Sequence, residues 1–329
     1  MSASTPSGRV IALCGGIGGA KLALGLYRVL GAGQLTVVVN TGDDFEHLGL
    51  SISPDLDTVL YTLAGLADPE RGWGRAQETW NFMEALRQVG GETWFQLGDR
   101  DLAMHVLRTQ WLSAGKTLSA FAAHVAERFA IAARILPMSD AAVRTTVETA
   151  EGNLPFQRYF VGRRCEPVVH AIRFAGAKEA KPPVGLVPLV TSPSLQAIVI
   201  CPSNPYLSVD PILAVPGIAA ALAASTAPVI AVSPIIGGQA VKGPTAKIMT
   251  ELGVAVTTET IAAHYRGLID GLVIDVADAA DGQRVGVPVL ATRTMMRDIA
   301  DRERLARDVM AFADTLKQRS AASLIGGRR

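Results

Sequence analysis

The stretch RVIALCGGIGGAK, residues 9–21, decides the fold that this sequence predicts. Its first half, 9–14, is a short apolar run typical of a buried parallel strand. Helical spacing of apolar residues follows over 20–30. A glycine turn that opens a helix leaves backbone N–H groups free for a phosphate, and Lys21 adds a positive charge there. The glycines, which allow positive φ and close approach of a ligand, are Gly15, Gly16, Gly18 and Gly19.

Four carboxylates follow this unit within a short span of sequence. A second apolar strand, predicted over 35–40, leads into Asp43 and Asp44, and Asp55 and Asp57 come soon afterwards. The carboxyl ends of parallel strands form the edge of a sheet where ligands bind. Because Mg²⁺ prefers carboxylate and phosphate oxygens, the pattern predicts a nucleotide whose phosphates are bridged by a Mg²⁺ ion held by these acids.

The glycine turn is not specific by itself. It is not a P-loop, because no Gly-Lys-Ser/Thr follows at the required spacing. It also departs from the dinucleotide-binding pattern, since Lys21 stands where a Gly or Ala normally packs the helix against the strand. A strand-to-helix turn that only tolerates glycine stays open, and the acids alternatively cap helices or lie in solvated loops. Their position near strand ends favours the functional interpretation.

The composition indicates a folded globular protein, since 49% of the 329 residues are hydrophobic and 19% are charged. The formal net charge is +1 without a long block of like charge, which disfavours nucleic acid and anionic membrane surfaces as main partners. Cys14, Cys165 and Cys201 are far apart and lack metal-ligand spacing, as expected of reduced thiols. No signal-peptide pattern is visible, and we expect a cytoplasmic protein.

Strand patterns recur at both ends of the chain, with helical patterns between them. This alternation predicts an α/β fold with a doubly wound, Rossmann-like and mostly parallel sheet, interrupted by a mainly helical insertion. We expect one domain over 1–329, the insertion roughly over 66–180 and a disordered tail roughly over 318–329. Within the insertion, the periodicity predicts a helix over 75–89 and a strand over 157–161.

Two further stretches carry chemical groups. CPSNPYL, residues 201–207, holds Ser203 and Asn204 between two prolines, where they can contact a base or a phosphate. A plain Asx-type turn is the alternative for this loop. LGDRDLA, residues 97–103, opens a helix with acids at 99 and 101 that alternatively only stabilise the helix dipole. Arg100 is a candidate clamp for a carboxylate or phosphate.

Seven blocks, in order, resemble the 2-phospho-L-lactate transferase family, CofD, called FbiA in actinobacteria. The blocks are CGGIGGAK, NTGDD, SPDLDT, LGDRDLA, PMSD, CPSNPYLS and SPIIGGQAVKGPTAK. The resemblance implies a role in the biosynthesis of the deazaflavin coenzyme F-420. The family transfers a phospho-carboxylate from a guanosine diphospho-carboxylate donor to the ribityl hydroxyl of Fo, the 7,8-didemethyl-8-hydroxy-5-deazariboflavin acceptor. GMP is released and Mg²⁺ is required, and a homodimer is also implied.

The resemblance implies roles for individual residues. The metal ligands are Asp43, Asp44, Asp55 and Asp57, with Asp44 and Asp57 foremost. The catalytic candidates are Asp57, Asp99 and Arg100, with Asp57 or Asp99 as acceptor of the hydroxyl proton. The substrate-binding candidates are Gly15, Gly16, Gly18, Gly19, Lys21, Thr41, Ser203, Asn204 and Pro205. The sequence departs from the family pattern at Ala141 and Gln239, and no role is expected for them.

Two other functions stay open. A non-catalytic, nucleotide-sugar-binding regulator of the YvcK type resembles this family in fold and opening loop, but the intact SPDLDT block disfavours it. A nicotinamide-dependent dehydrogenase is disfavoured by Lys21 in the fingerprint. No single residue decides which phospho-carboxylate, of lactyl, enolpyruvyl or glyceryl type, is transferred.

Overall fold

The computed structural model describes residues 9–241 and 243–326, and the burial of side chains up to residue 319. The strands are β1 (Arg9–Cys14), β2 (Leu35–Val39), β3 (Phe45–His47), β4 (Leu50–Ile52), β5 (Arg134–Pro137), β6 (Arg144–Thr149), β7 (Gly152–Pro155), β8 (Ala171–Ala175), β9 (Leu195–Ile200), β10 (Val229–Val232), β11 (Ile235–Ile236), β12 (Gln239–Ala240), β13 (Gly271–Asp275) and β14 (Val289–Thr292). The helices are α1 (Gly16–Val29), α2 (Pro54–Leu63), α3 (Asn81–Gln88), α4 (Asp101–Ser113), α5 (Leu118–Arg128), α6 (Leu186–Val190), α7 (Asp210–Leu213), α8 (Ile218–Ala223), α9 (Thr245–Glu251), α10 (Thr258–His264) and α11 (Ile299–Gly326).

Seven parallel strands form the central sheet in the order β14-β13-β10-β9-β1-β2-β5. β1 pairs with β2 on one side and with β9 on the other, so the chain winds away from β1 in both directions. The loops that follow β1 and β9 therefore leave the sheet on opposite faces, and this is the place where ligands bind in doubly wound sheets. The predicted doubly wound parallel sheet is confirmed.

Helices cover both faces of this sheet because the strands are apolar on both sides. In β1, Val10, Ala12 and Cys14 enter a core formed with α1, α2, α5 and α11. Ile11 and Leu13, which point the other way, enter a second core with α6, α7, α8 and α10. A parallel strand buried on both faces requires such a continuous apolar run, and this is the pattern that the sequence shows.

The part of the chain over 66–180 contains strands as well as helices α3, α4 and α5. β5 pairs with β2 in the central sheet, and β6, β7 and β8 form an antiparallel sheet in the order β7-β6-β8. The predicted strand over 157–161 is wrong, because Arg158–Gly162 is a π-helical turn that buries Tyr159. A short apolar run fits a strand or a buried helical turn equally well, and periodicity does not separate the two.

The last helix, α11, continues to Gly326, inside the predicted tail of 318–329. Residues 327–329, and the side chains from 320 onward, lie outside the described residues, so the tail stays a prediction. Among the helices that the structure describes, none combines the length and the apolar character needed to cross a membrane.

Helices α1 and α11 pack so closely that a glycine is required between them. A Cβ at Gly25 would collide with the backbone oxygen of Arg302. Helix propensity alone favours alanine by about 1 kcal/mol, but a clash with backbone costs more. We therefore expect Gly25→Ala to lower the free energy of unfolding by roughly 1–2 kcal/mol.

Urea unfolding followed by circular dichroism measures this effect. Gly286→Ala is the matched control, since nothing lies within 4 Å of a Cβ at Gly286. Equal stabilities of the two variants would contradict the close packing of α1 on α11.

Candidate active site

The crevice begins at the start of α1, where Gly15 has no side chain to cap the helix. Gly15 precedes α1 in an extended conformation. Gly16 has a φ of +64°, and nothing lies within 4 Å of a Cβ placed there. The Gly16 N–H donates to the Asp55 carboxylate, so the N–H groups of the following residues of this 14-residue helix are the ones left for a ligand. Such a helix start is suited to a phosphate group.

The other glycines permit close contact between α1 and the loop that follows β9. A Cβ at Gly18 would lie 2.5 Å from the backbone oxygen of Pro202, and one at Gly19 would collide with the Ser203 hydroxyl. Ser203 Oγ donates to the Gly15 oxygen at 2.8 Å and accepts from the Gly15 N–H at 3.1 Å. Ser203 therefore joins the two loops of the crevice, and its hydroxyl is already engaged.

Asn204 has a carboxamide with two different roles. Its Oδ1 accepts from the backbone N–H groups of Tyr206 and Leu207 at 3.0 and 3.1 Å, so the Asx-type turn is present. Its Nδ2, in contrast, is buried without a hydrogen-bond partner among the described residues. Pro205 is buried at the start of the turn over 205–209. A donor thus remains on Asn204 for a ligand in the crevice.

The remaining predicted contacts are Lys21 and Thr41. The Lys21 ammonium donates to the backbone oxygen of Met296 at 3.2 Å, in the segment between β14 and α11. Thr41 follows β2, and its buried hydroxyl has no partner in the part of the chain that the structure describes. Thr41 therefore offers a polar atom beside the acids, whereas Lys21 has a contact within the protein.

Three of the predicted acids are buried next to the glycine segment. Asp43, Asp44 and Asp55 are only 6–7% exposed. Asn40 Nδ2 donates to Asp55 Oδ2 at 2.9 Å, and Ser53 Oγ donates to Asp44 Oδ2 at 2.7 Å. Asp43 Oδ1 and Asp44 Oδ1 are buried and have no hydrogen-bond partner in the described chain. Buried carboxylate oxygens without a hydrogen-bond partner are suited to bind a cation.

The pKa values of these three acids also favour a cation as the ligand. Burial raises the pKa of Asp43 well above its usual range, and the charge of Asp55 raises it further. Burial also raises the pKa of Asp44 to about 7, and that of Asp55 to about 6 despite the hydrogen bond from Asn40. A divalent cation favours the charged form of such carboxylates. Since Mg²⁺ binds through one or two carboxylates together with phosphate oxygens, the donor set of Asp43 and Asp44 fits this ion.

Asp57 has a different environment, because it contacts a buried cation of the protein. Arg108, which is fully buried, donates from Nη2 to Asp57 Oδ1. His105 lies between two acids, with Nδ1 at 3.6 Å from Asp57 Oδ2 and Nε2 at 3.4 Å from Asp101 Oδ2. The Tyr61 hydroxyl donates to Asp101 Oδ1 at 2.5 Å. Burial raises the pKa of Asp57, and the charge of Arg108 opposes this shift.

The donor atoms of Asp57, Asp101 and His105 lie within 4.8 Å of one another, a spacing that suits a metal. Arg108 disfavours a cation at this place, because its Nη1 is only 3.4 Å from His105 Nδ1. A divalent ion there would be repelled by a guanidinium that is itself buried. We therefore place the candidate metal site at the acids that lack a cationic partner, with Asp57 at its border.

Asp99 and Arg100 lie outside this network. Asp99 Oδ1 accepts from the Phe82 N–H at 3.0 Å, and its Oδ2 accepts from Thr79 and Asn81. The Thr79 hydroxyl and these N–H groups lower the pKa of Asp99 to about 2. Asp99 thus caps the start of α3, and a carboxylate with this pKa is a weak proton acceptor. Arg100 is exposed, and its guanidinium contacts Gln77 at 3.4 Å.

No sequence motif indicated Asp101, His105 or Arg108 as residues of the site. They are spaced i, i+4 and i+7 along α4, so they form a polar stripe on one side of that helix. This spacing is visible in the sequence, although a polar stripe normally indicates the solvent side of a helix. Only the fold shows that the stripe is turned inward against Asp57.

A pocket of about 340 Å³ opens beside Asp43 and Asp44. Trp94, Phe156 and strand β6 contribute to its walls. Aromatic walls next to the candidate metal site suit a ligand with a flat ring. A larger cavity of about 630 Å³ lies between α5 and β5, at the edge of the sheet, and contains none of the predicted site residues.

Comparisons of the sequence and of the structure with known proteins indicate a family and a fold. The sequence model of the family described as 2-phospho-L-lactate transferase CofD matches residues 10–314. A relative from Streptomyces avermitilis, named phosphoenolpyruvate transferase, is 41% identical over 318 residues, which cover 94% of this chain and 99% of the relative. A protein of the same name from Mycobacterium sp. (strain KMS) is 38% identical over 324 residues, covering 91% and 97%. A solved UPF0052-family structure from Bacillus halodurans has a TM-score of 0.61 at 16% identity, over 93% of this chain and 99% of that chain, and shares the fold.

The raised pKa of Asp44 has a consequence for stability. Because this pKa is about 7 in the folded protein and roughly 3.9 in an unfolded chain, stability falls as the pH rises from about 4 towards 8. Asp44→Asn removes the buried charge and should stabilise the metal-free protein by roughly 1–3 kcal/mol at pH 8. The gain should shrink on lowering the pH to 5.

Thermal unfolding in the presence of a chelator measures this difference. Asp68→Asn is the control, since a hydrogen bond from the Arg71 backbone lowers the pKa of Asp68, and its loss should not stabilise the protein at pH 8. If Asp44→Asn is instead less stable than the wild type at pH 8, groups of the protein already stabilise the charged form of the Asp44 carboxylate.

Proposed function

This chain belongs to the 2-phospho-L-lactate transferase CofD family, and from that premise we propose its reaction. It is a transferase of the phospholactate type in the biosynthesis of coenzyme F-420. The donor is a guanosine diphospho-carboxylate, and the acceptor is the ribityl hydroxyl of the deazaflavin Fo. The name phosphoenolpyruvate transferase, carried by relatives about 40% identical, favours the enolpyruvyl form of the donor.

The buried carboxylates without an ion-pair partner in the described chain, beside the glycine start of α1, are the observation that supports this reaction most directly. Asp43 Oδ1 and Asp44 Oδ1 lack partners, and the open side of Gly16 lies at the helix start. An anionic diphosphate and three buried acids repel each other unless a cation lies between them. The site therefore suits a diphosphate substrate that binds together with Mg²⁺.

The transfer forms one bond and breaks one bond. The ribityl oxygen attacks the phosphorus that carries the carboxylate-bearing group, and the bond from this phosphorus to the oxygen of GMP breaks. GMP leaves with the electron pair, and the hydroxyl proton passes to a base. Such displacements depend mainly on alignment and on neutralisation of charge.

The residues of the crevice have different roles in this transfer. The N–H groups that follow Gly16 in α1 bind the diphosphate, and Asn204 Nδ2 donates a hydrogen bond to the nucleotide. Asp43 and Asp44, with Asp55 adjacent, would hold a Mg²⁺ ion, which would supply neutralisation of charge on the diphosphate. Of the two candidate bases, Asp57 retains an oxygen without a hydrogen-bond partner among the described residues, whereas both oxygens of Asp99 are engaged. We propose Asp57 as the proton acceptor.

A direct assay tests this function. Purified protein is incubated with Mg²⁺, Fo and each of the three donors in turn, GMP is quantified, and the products are identified by mass. We expect GMP release that requires Fo and Mg²⁺, and a loss of at least about 100-fold in kcat/KM for Asp44→Asn, as when a group that stabilises transition-state charge is removed.

Asp68→Asn serves as the surface control in this assay. A regulator of the YvcK type would bind the nucleotide but release no GMP with any donor, and this outcome would overturn the proposal. A homodimer and a cytoplasmic location stay predictions from the sequence.

The neighbouring acids Asp99 and Asp101 form a matched pair. Asp101 contacts His105, which contacts Asp57, whereas Asp99 caps α3. We expect Asp101→Asn to lower kcat by roughly 10–100-fold, as for loss of a group that orients an active-site residue. Asp99→Asn should keep kcat within about threefold of the wild type while lowering thermal stability. The reverse order of the two kcat values would assign the base to Asp99.

A further inference from the structure

Arg144 stands in the pocket beside the acids without an acidic partner. It is the first residue of β6, and it lines the 340 Å³ pocket together with Asp43 and Asp44. The other guanidinium of this pocket, Arg158, is paired with Glu92 at 3.0 Å and lies over the Trp94 ring at 4.1 Å. Within the described chain, the hydrogen bond that Arg144 makes is to a backbone oxygen.

The backbone fixes Arg144 relative to the metal-binding segment. Its Nη1 donates to the oxygen of the buried Val143 at 2.9 Å, which leaves the other N–H groups of the guanidinium for a ligand. The next residue, Thr145, donates its N–H to the Gly42 oxygen at 2.7 Å. The strand that carries Arg144 is therefore tied directly to the loop that carries Asp43 and Asp44.

The charge of Arg144 already acts on this loop. Although burial dominates the pKa of Asp44, the Arg144 guanidinium is the strongest of the groups that lower it. The two side chains are nevertheless not within ion-pair distance in this structure. Arg144 is thus close to the candidate metal site, half-buried, and available to a second anion.

We propose that Arg144 binds the carboxylate of the phospho-carboxylate that is transferred. This assignment rests on the proposed function. In lactyl and enolpyruvyl donors the carboxylate is attached to the carbon whose oxygen carries the reacting phosphorus, so the two groups are only a few bonds apart. A phosphate at the acids and a carboxylate at Arg144 would share one pocket, as this short separation requires. The planar guanidinium fork pairs with a carboxylate in a bidentate manner, which a lysine does not reproduce.

GDP is the matched probe, because it has the guanosine diphosphate of the donor and lacks the carboxylate-bearing group. In calorimetric titrations with Mg²⁺ and without Fo, the wild type should bind the donor more tightly than GDP. Arg144→Gln should weaken donor binding about 10–100-fold, the range for a charged hydrogen-bonded pair, and leave GDP binding within about threefold. Arg144→Lys should recover part of the lost donor affinity. Arg158→Gln should leave the ratio of the affinities for donor and GDP unchanged.

Steady-state kinetics complete the test. Arg144→Gln should raise the KM for the donor and leave the KM for Fo unchanged. Equal affinity of the wild type for donor and GDP, or a rise confined to the KM for Fo, would overturn this assignment. Retained GDP binding shows that each variant is folded. Absence of GMP release by the wild type, with a donor-to-GDP ratio that still depends on Arg144, would instead refute the transfer reaction and leave the carboxylate site standing.

Discussion

Three buried carboxylates that form no ion pair among the described residues set the character of this site. Asp43, Asp44 and Asp55 have raised pKa values because burial penalises their charge, and oxygens of Asp43 and Asp44 have no hydrogen-bond partner in the described chain. Such an arrangement destabilises the empty protein at neutral pH, and it is retained where a charged ligand offsets it. The neighbouring Asp57 shows the contrast, since Arg108 already balances its charge.

The position of these acids depends on the sheet order. β1 and β9 are adjacent, so the glycine segment after β1 meets the loop after β9, and Ser203 joins them through two hydrogen bonds with Gly15. Asp55 approaches the same glycine segment from α2, since a Cβ at Gly15 would lie 2.7 Å from its Oδ2. Amides suited to a phosphate and buried carboxylates therefore lie side by side, so a cation would reduce the repulsion between an anionic ligand and these acids.

The residues of the candidate site differ in how well the sequence predicted their positions and contacts. The acids after β2 and at the start of α2 were predicted as neighbours, because strand ends and helix starts meet at one edge of a parallel sheet. Asn204 fits both the Asx-type turn and the ligand contact that the sequence allowed. Its Oδ1 accepts in the turn, and its Nδ2 has no hydrogen-bond partner in the described chain. Asp99 was a predicted catalytic candidate and Asp101 was not, whereas their contacts with α3 and with His105 favour Asp101. Arg144 gave no signal at all, since a lone arginine at a strand start is common on surfaces.

The sequence by itself determined the doubly wound parallel sheet and the glycine-started helix, because apolar runs, glycines and helical spacing act over a few neighbouring residues. It also indicated the family through ordered blocks. Only the tertiary structure decided which charged side chains lie close enough to form ion pairs. Arg108 lies 51 positions from Asp57, and Ser203 lies 188 positions from Gly15, so no local pattern encodes these pairs. Burial and the pairing of charges are properties of the assembled core, and they separate the acids without an ion-pair partner in the described chain from the acid that has one.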